Sequence, residues 1–187
     1  HDFSMPVGRI EYMFIGPMDF YEFLVATEHE RLVEFLQKYE LGKVLPGSLH
    51  HKLISLMKIY CAVGGMPAAV KQYIEKNIRN CAIEQRTILL TYEDDFSKYK
   101  RLVNTNRLKK VFGNIPGICG DKVKYVNINR EEQAKFIAES VDMLHQARVI
   151  YKIHHTSASG FPLSSQRNSK VFKLLFLDVG LLCSALG

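Results

Sequence analysis

Residues 60–70 restrict the fold of this chain more than any other stretch, because they force two helices to meet at a corner. An apolar helical pattern runs into Gly64-Gly65, and Pro67 follows two residues later. Glycine tolerates the left-handed backbone that commonly ends a helix, and proline suits the first helical position because its missing N–H would be unpaired there anyway. The sequence therefore predicts one helix that ends at Gly64 and another that begins at Pro67.

Residues 18–100 predict a small bundle of helices around this corner. Asp19 and Glu22 have the spacing of a capping box, in which each side chain accepts a hydrogen bond from the other residue's backbone N–H. Farther along, apolar residues recur at intervals of three and four, which is typical of helices with one buried face. The segments concerned begin near residues 30, 49, 67 and 80.

Residues 101–187 predict a mixed α+β unit. Helical patterns lie near residues 108–115 and 129–146, and the second is expected to begin at a capping pair formed by Asn129 and Glu132. Two segments rich in β-branched and aromatic residues, 149–154 and 171–177, predict strands. Helix, connector, helix, strand, loop and strand is the order of a winged helix, with the wing near residues 157–169. The predicted fold class is therefore mainly α: a helical bundle followed by a winged-helix module.

Residues 1–17 predict the remnant of a larger sheet. Residues 9–15 form an apolar, aromatic run that ends at Gly16-Pro17, and such a run is typical of a buried strand. No partner hairpin follows it in the sequence. We therefore expect three units: a remnant strand (1–17), a helical bundle (18–100) and a winged-helix-like domain (101–187).

The positive charge of the chain is concentrated in one segment. The net charge is +6; residues 98–124 carry +7, since they hold eight basic side chains and one acid, Asp121, and the rest of the chain sums to −1. A local cluster of cations indicates a phosphate-bearing partner more than a uniform excess would. A solvated face without a partner explains the same residues about equally well.

Other features of the composition concern the compartment. No apolar run approaches the roughly 20 residues that span a bilayer, so no membrane partner is predicted. The four cysteines lie far apart and form no C-x-x-C pair, which fits a reducing cytoplasm.

The sequence contains no recognisable catalytic site or metal site. His50-His51 and His154-His155 are adjacent pairs whose side chains point in different directions, so neither pair is expected to bind a metal. Residues 117–122 resemble a phosphate loop only faintly, because the spacing is too short and no Ser or Thr follows Lys122. We predict no catalytic residue.

A winged helix suggests DNA binding, although the helix that usually reads DNA is unsuitable here. Residues 130–146 carry Arg130 and Lys135 against four acids, and phosphates would be repelled by that surface. The candidate nucleic-acid-binding residues therefore lie in the basic segment and in the wing. They are Lys98, Lys100, Arg101, Arg107, Lys109, Lys110, Lys122, Lys124, Arg167 and Lys170.

Five separated motifs resemble the prokaryotic AAA-type ATPases of the archaeal-ATPase kind, which carry a C-terminal domain of unknown function. The motifs occur in the order of that family and extend over nearly the whole chain. They are Pro6-Val7-Gly8-Arg9, Pro17-Met18-Asp19-Phe20, Val63-Gly64-Gly65-Met66-Pro67, Tyr92-Glu93-Asp94-Asp95-Phe96 and Leu177-Asp178-Val179-Gly180-Leu181-Leu182.

The resemblance implies that the chain holds the last strand of an ATPase core, its helical lid and a winged helix. The phosphate loop and the acidic magnesium-binding strand of such proteins are not in this sequence, so ATP and Mg²⁺ would belong to the parent protein and not to this part of it. The resemblance also implies that Arg9, Gly64 and Gly65 lie near the nucleotide. The expected function is that of a nucleic-acid-associated lid and winged-helix part of an AAA-type ATPase. The alternative is a module for protein interaction or homo-oligomer formation without nucleic-acid binding.

Overall fold

The computed structural model describes residues 11, 13–40, 42–100, 103–157 and 159–187. This part of the chain is mainly helical with one small antiparallel sheet, which confirms the predicted fold class of an α bundle followed by an α+β module. The helices and strands, in chain order, are α1 (Phe20–Ala26), α2 (Glu30–Lys38), α3 (Gly47–Val63), α4 (Pro67–Glu75), α5 (Ile78–Asp95), α6 (Thr105–Asn114), α7 (Tyr125–Ile128), α8 (Ala134–Gln146), β1 (Ile150–Thr156), β2 (Arg167–Phe176) and α9 (Val179–Leu186).

The predicted helix boundaries at the start of the bundle and at its corner are confirmed. Glu22 N donates to Asp19 Oδ1 and Asp19 N donates to Glu22 Oε2, both at 2.8 Å, so the capping box at α1 is complete. Helix α3 ends at Val63, its cap residue Gly64 has φ of +73°, and Pro67 occupies the first turn of α4. These helix ends are the ones that local backbone chemistry predicts.

The start of α8 was predicted wrongly. The Asn129 side chain accepts a hydrogen bond from Glu131 N at 3.0 Å in a short turn, and α8 begins only at Ala134. Glu132 does not bond back to a cap; it forms an ion pair with Arg107 of α6. An Asn followed three residues later by Glu fits a turn as well as a cap, and the tertiary ion pair favours the turn.

The C-terminal module is a hairpin packed on helices. Strands β1 and β2 pair antiparallel, with Ile150 opposite Phe176, and the register shifts between His154 and His155. The segment before α7 joins the edge of β2 through an isolated bridge between Lys122 and Lys173. Backbone hydrogen bonds of 2.9 Å from Gly120 N to Leu174 O and 3.0 Å from Val123 N to Phe172 O support this bridge.

The largest apolar core joins the module to the bundle. Phe112 of α6 packs against Phe96, at the end of the bundle, and against Phe176 of β2, with ring centroids 5.3 and 5.5 Å apart. Helix α9 follows the hairpin and packs back onto α3 and α5. The residues on the two sides of the predicted boundary at 100/101 thus share one core, and α9 contacts the helices of the first unit.

The apolar run before α1 is not buried in the part of the chain described. Residues 13–15 have no strand assignment, and Met13 and Ile15 are 88% and 93% exposed. Phe14 contacts the Arg148 guanidinium, which lies 3.4 Å from the ring centroid. Residues 1–10 and 12 lie outside the described residues, so the predicted strand stays a prediction.

Candidate functional site

The glycine corner is closed by a buried carboxylate from the far end of the chain. Asp178 is 4% exposed and caps α9 by accepting a hydrogen bond from Leu181 N at 2.8 Å. Its second oxygen accepts a hydrogen bond from Gly65 N at 2.6 Å. One side chain therefore satisfies the N-terminus of α9 and the corner between α3 and α4, although Asp178 and Gly65 are 113 residues apart in sequence.

The other side of the corner is occupied by the backbone of Met18. Met18 N donates to Gly65 O at 2.7 Å, and the Tyr60 hydroxyl donates to Met18 O at 2.8 Å. A Cβ atom at Gly65 would overlap the Met18 backbone, with Met18 N only 2.7 Å away. The close approach of two backbones thus explains why residue 65 has no side chain.

The end of α3 is also satisfied from within the chain. Gln85 of α5 is 3% exposed, and its side-chain amide donates to Ala62 O and Val63 O at 2.9 Å each. Gly180 lies against the same turn, because a Cβ there would be 2.5 Å from Gly64 N. Helices α3, α5 and α9 therefore meet at one polar junction inside an apolar surrounding, which we call the Asp178 junction (Gly64, Gly65, Gln85, Asp178 and Gly180).

The residues that resemblance places near a nucleotide have a local explanation. Gly64 and Gly65 are buried and contact Asp178 and Met18, so their small size is accounted for by contacts within this chain. Arg9 lies outside the described residues. Nucleotide proximity of the three residues stays a prediction.

The junction influences the titration of neighbouring groups. Burial raises the pKa of the Cys81 thiol to about 11, and the negative charge of Asp178 adds to the effect. Burial, with the same carboxylate as the next cause, also raises the pKa of Tyr60 and of Tyr92. These groups are stabilised in their protonated, neutral forms, so their contribution to stability is present at neutral pH and is lost as the pH rises through alkaline values.

Cysteine labelling should reveal this burial. All four cysteines are unpaired, Cys183 is exposed and Cys81 is fully buried. With iodoacetamide at pH 8, we expect Cys183 to react first and Cys81 to react at least about a hundredfold more slowly, because the buried thiol reacts only after local opening. Peptide mass spectrometry of timed samples measures both rates, and a urea-unfolded sample provides the control. Equal rates in the native protein would contradict the packing of α5 against the junction.

The basic segment 98–124 does not form one continuous basic surface. Lys98 pairs with Asp95 at 2.7 Å, Lys110 pairs with Glu131 at 3.4 Å, and Arg107 Nε lies 3.1 Å from Glu132 Oε2. The Arg107–Glu132 contact is an ion pair without hydrogen-bond geometry, and the guanidinium also lies over the Phe136 ring at 4.4 Å. These three cations are therefore partly neutralised within the chain.

The remaining predicted cations are distributed over two regions. Lys100, Lys122 and Lys124 are exposed and Lys109 is half-buried, without an ion pair among the residues described, while Arg101 lies outside them. The bridge to β2 places Lys122 next to Lys173, and Arg167 and Lys170 are exposed on the same strand. The structure thus brings Lys122 to the hairpin that also carries the two wing cations.

The sequence contains a signal for this hairpin that the segment-by-segment charge count missed. From residue 143 to residue 177 there is no Asp or Glu, whereas five cations occur: Arg148, Lys152, Arg167, Lys170 and Lys173. Lys152 does not contribute to the exposed charge, since its side chain is only 11% exposed and forms an ion pair with Asp142 of α8. Lys173 belongs to the candidate surface and was not predicted. We call the exposed β1–β2 pair, its connecting loop and Lys122 the basic hairpin.

Helix α8 is acidic on its exposed side, as the sequence indicates. Glu139 and Asp142 are exposed there, and Lys135 is the exposed cation of the helix. The structure therefore offers the basic hairpin, and not α8, as the surface with the charge that phosphates require.

Within the described ranges, no group of three or more His, Cys, Asp or Glu side chains lies close enough to hold a metal ion. In that same part of the chain, no single helix is long and apolar enough to cross a membrane; α3 and α4 pass such a test only together, and they are bent by 117° at the glycine corner.

Residues 54–187 match the profile of a protein family described as Domain of unknown function (DUF8612). The chain belongs to this family. The match covers more than two thirds of the chain, from the middle of α3 to the last residue, and it includes the Asp178 junction and the basic hairpin. None of the curated proteins and none of the solved structures matches the chain significantly.

Proposed function

We propose that this chain is the helical lid and winged-helix part of a prokaryotic AAA-type ATP-binding protein, and that it contacts nucleic acid through the basic hairpin. The observation that carries the proposal is the acid-free hairpin, on which Lys122, Arg167, Lys170 and Lys173 are exposed together. Clustered cations without acids attract the phosphate backbone irrespective of its sequence. The order of α6, the bridge at Lys122, α7, α8, β1 and β2 supports the winged-helix interpretation.

In this proposal the chain binds but does not catalyse. ATP and Mg²⁺ would be bound by the ATPase core of the parent protein, and hydrolysis would occur there. The lid would move with the winged helix as one body, because the Asp178 junction and the shared aromatic core connect them. The four unpaired cysteines support a reducing, cytoplasmic location.

Charge reversal on the hairpin tests the proposal. We expect the variant Arg167→Glu/Lys170→Glu to bind a 20-base-pair DNA duplex at least about tenfold more weakly than the wild type does. The slope of log K against log salt concentration should fall in magnitude by about 2. The loss follows from two phosphate contacts that become repulsive. Fluorescence anisotropy at several salt concentrations measures both quantities.

The matched control changes the same charge elsewhere. Lys52 and Lys58 are exposed on α3, so Lys52→Glu/Lys58→Glu alters net charge by the same amount at a distance from the hairpin. We expect this control to keep most of the affinity. If the wild type does not bind DNA, or if both variants weaken binding equally, the proposal that the basic hairpin binds DNA is contradicted.

A second candidate is a protein-interaction or oligomerisation module. The observation in its favour is a set of exposed apolar side chains on α3 and α5, where Ile54, Ile83 and Leu90 are 43%, 58% and 61% exposed. Exposed apolar side chains that form a contiguous patch commonly mark a surface that another protein covers. Sedimentation equilibrium distinguishes the candidates, because this one requires a concentration-dependent mass and no retention of DNA.

A further inference from the structure

We propose that a cleft on the outer surface of the basic hairpin binds one unpaired nucleobase together with its phosphate; the inference rests on the proposed function and specifies its ligand. The cleft has a volume of about 310 Å³ and lies between Lys122, the β1 segment around Ile153 and the β2 segment around Phe172. This volume is at the small end of ligand sites, which suits a single base and not a base pair.

The cleft exists because the two strands fall out of register. His154 lies opposite Phe172, whereas His155 lies opposite Asn168, so residues 169–171 of β2 have no partner on β1. Such a bulge bends the strand and redirects side chains next to it. Here it opens a gap beside Val171 on the solvent side of the hairpin.

The floor of the cleft is apolar although it faces outward. Ile153 is 49% exposed and Val171 is half-buried, and the buried residue Phe172 also lines the cleft. An exposed apolar floor in a polar loop region accommodates the flat face of a ring. Nucleobases bind to proteins chiefly through such face contacts, and these are tolerant of base identity.

The rim of the cleft is cationic and contains no acid. Lys122 and Lys173 face each other across the isolated bridge, and His155 lies on the adjacent strand. Asp121 is the nearest acid in sequence; it lies in the bend that precedes Lys122 and does not line the cleft. A phosphate attached to the bound base would therefore meet two ammonium groups.

One polar atom of a residue that lines the cleft has no partner within the described structure. His154 Nδ1 is buried without a hydrogen bond, and its ring packs against Phe172 with centroids 5.7 Å apart. Buried polar atoms are usually satisfied, so an unpaired one beside a cleft indicates a polar group of a ligand or water. The Watson–Crick edge of a base is free to supply this group only when the base is unpaired, because pairing in a duplex occupies that edge.

The first test compares blunt and overhanging DNA. Fluorescence anisotropy is measured with a 20-base-pair blunt duplex and with the same duplex bearing a three-nucleotide thymidine overhang. We expect the overhang to increase affinity about tenfold, because contact of the base with the apolar floor removes nonpolar surface from water. In Val171→Trp the indole fills the cleft, and the ratio of the affinities for overhanging and blunt DNA should fall to about one.

The matched control places the same bulk outside the cleft. Leu175 is on the outward side of β2, 41% exposed and not part of the cleft, so Leu175→Trp should keep the overhang preference. Equal wild-type affinity for blunt and overhanging DNA would overturn the inference and leave the proposed function intact. Failure to bind either duplex would overturn the proposed function, and the inference is then decided by the next measurement.

A second measurement does not depend on a folded variant or on duplex binding. The 5′-phosphorylated dinucleotide pTpT is titrated into ¹⁵N-labelled wild-type protein. We expect saturable changes in amide chemical shift that are largest at Ile153, His155 and Lys173. Excess inorganic phosphate should reverse these changes only in part, because the base still contacts the apolar floor. Absence of localised changes, or complete displacement by phosphate alone, would overturn the inference.

Discussion

Replacing Asp178 with alanine is expected to destabilise the fold by about 3 kcal/mol, because two buried donors would lose their acceptor. Leu181 N and Gly65 N both donate to this carboxylate. Loss of an N-cap typically costs about 1 kcal/mol, and an unsatisfied buried N–H costs about 1–3 kcal/mol. These costs sum to about 2–4 kcal/mol, and the expected loss stays below the upper end because removing a buried charge also removes its desolvation cost.

Two variants provide the comparison for Asp178→Ala. Asp178→Asn keeps one carbonyl oxygen of the same shape and should lose roughly half as much stability, because one donor stays satisfied. Asp19→Ala removes an exposed cap in α1 and should cost about 1 kcal/mol. Urea unfolding followed by circular dichroism measures all three. If Asp178→Ala cost no more than Asp19→Ala, Asp178 would be an ordinary helix cap and not the link between α9 and the corner.

Gly65→Ala is expected to lower the midpoint of thermal unfolding by about 6–12 °C, which corresponds to a loss of about 3 kcal/mol for a chain of this size. The added methyl group would overlap the Met18 backbone. The corner cannot move away without breaking the hydrogen bonds that Gly65 forms with Met18 and with Asp178, at 2.7 and 2.6 Å. The cost is therefore a steric overlap or a broken polar junction.

Gly113→Ala is the matched control for this substitution. Gly113 is exposed in α6, and a Cβ atom there would meet no atom within 4 Å. Gly113 lies in the last turn of α6, where alanine should stabilise by up to about 0.5–1 kcal/mol relative to glycine. Differential scanning calorimetry of both variants gives the comparison. A neutral Gly65→Ala beside a stabilising Gly113→Ala would show that Met18 does not lie against the corner.

Local features of the sequence predicted the elements that depend on neighbours in the chain. The capping box of Asp19 and Glu22, the helix end at Gly64 and the start at Pro67 follow from backbone hydrogen bonding within a few residues. The hairpin strands were predicted from their β-branched and aromatic residues, although β2 begins at Arg167, four residues before the predicted segment. Polar wing residues carry no apolar pattern, so pairing there depends on the partner strand.

The candidate site depended on contacts that no local pattern encodes. Asp178 has the sequence context of an ordinary cap, and only the return of α9 to α3 makes it the acceptor for Gly65. Likewise, Lys122 and Lys173 are 51 positions apart and become neighbours only through the bridge at the edge of β2. The ion pairs of Arg107 and Lys110 also form across helices, and they reduce the charge that the basic segment presents.

The sequence by itself determined the helical class, the corner at Gly64-Gly65 and the excess of positive charge, because these follow from short-range backbone geometry and from composition. The tertiary structure decided what the corner contacts and where the charge is available. Both depend on long-range packing: the carboxylate of Asp178 and the backbone of Met18 fill the space around the glycines, and the strand register creates the cleft on the hairpin. The glycine corner is thus a junction between α3, α4 and α9 in the described structure, and its proximity to a nucleotide stays a prediction.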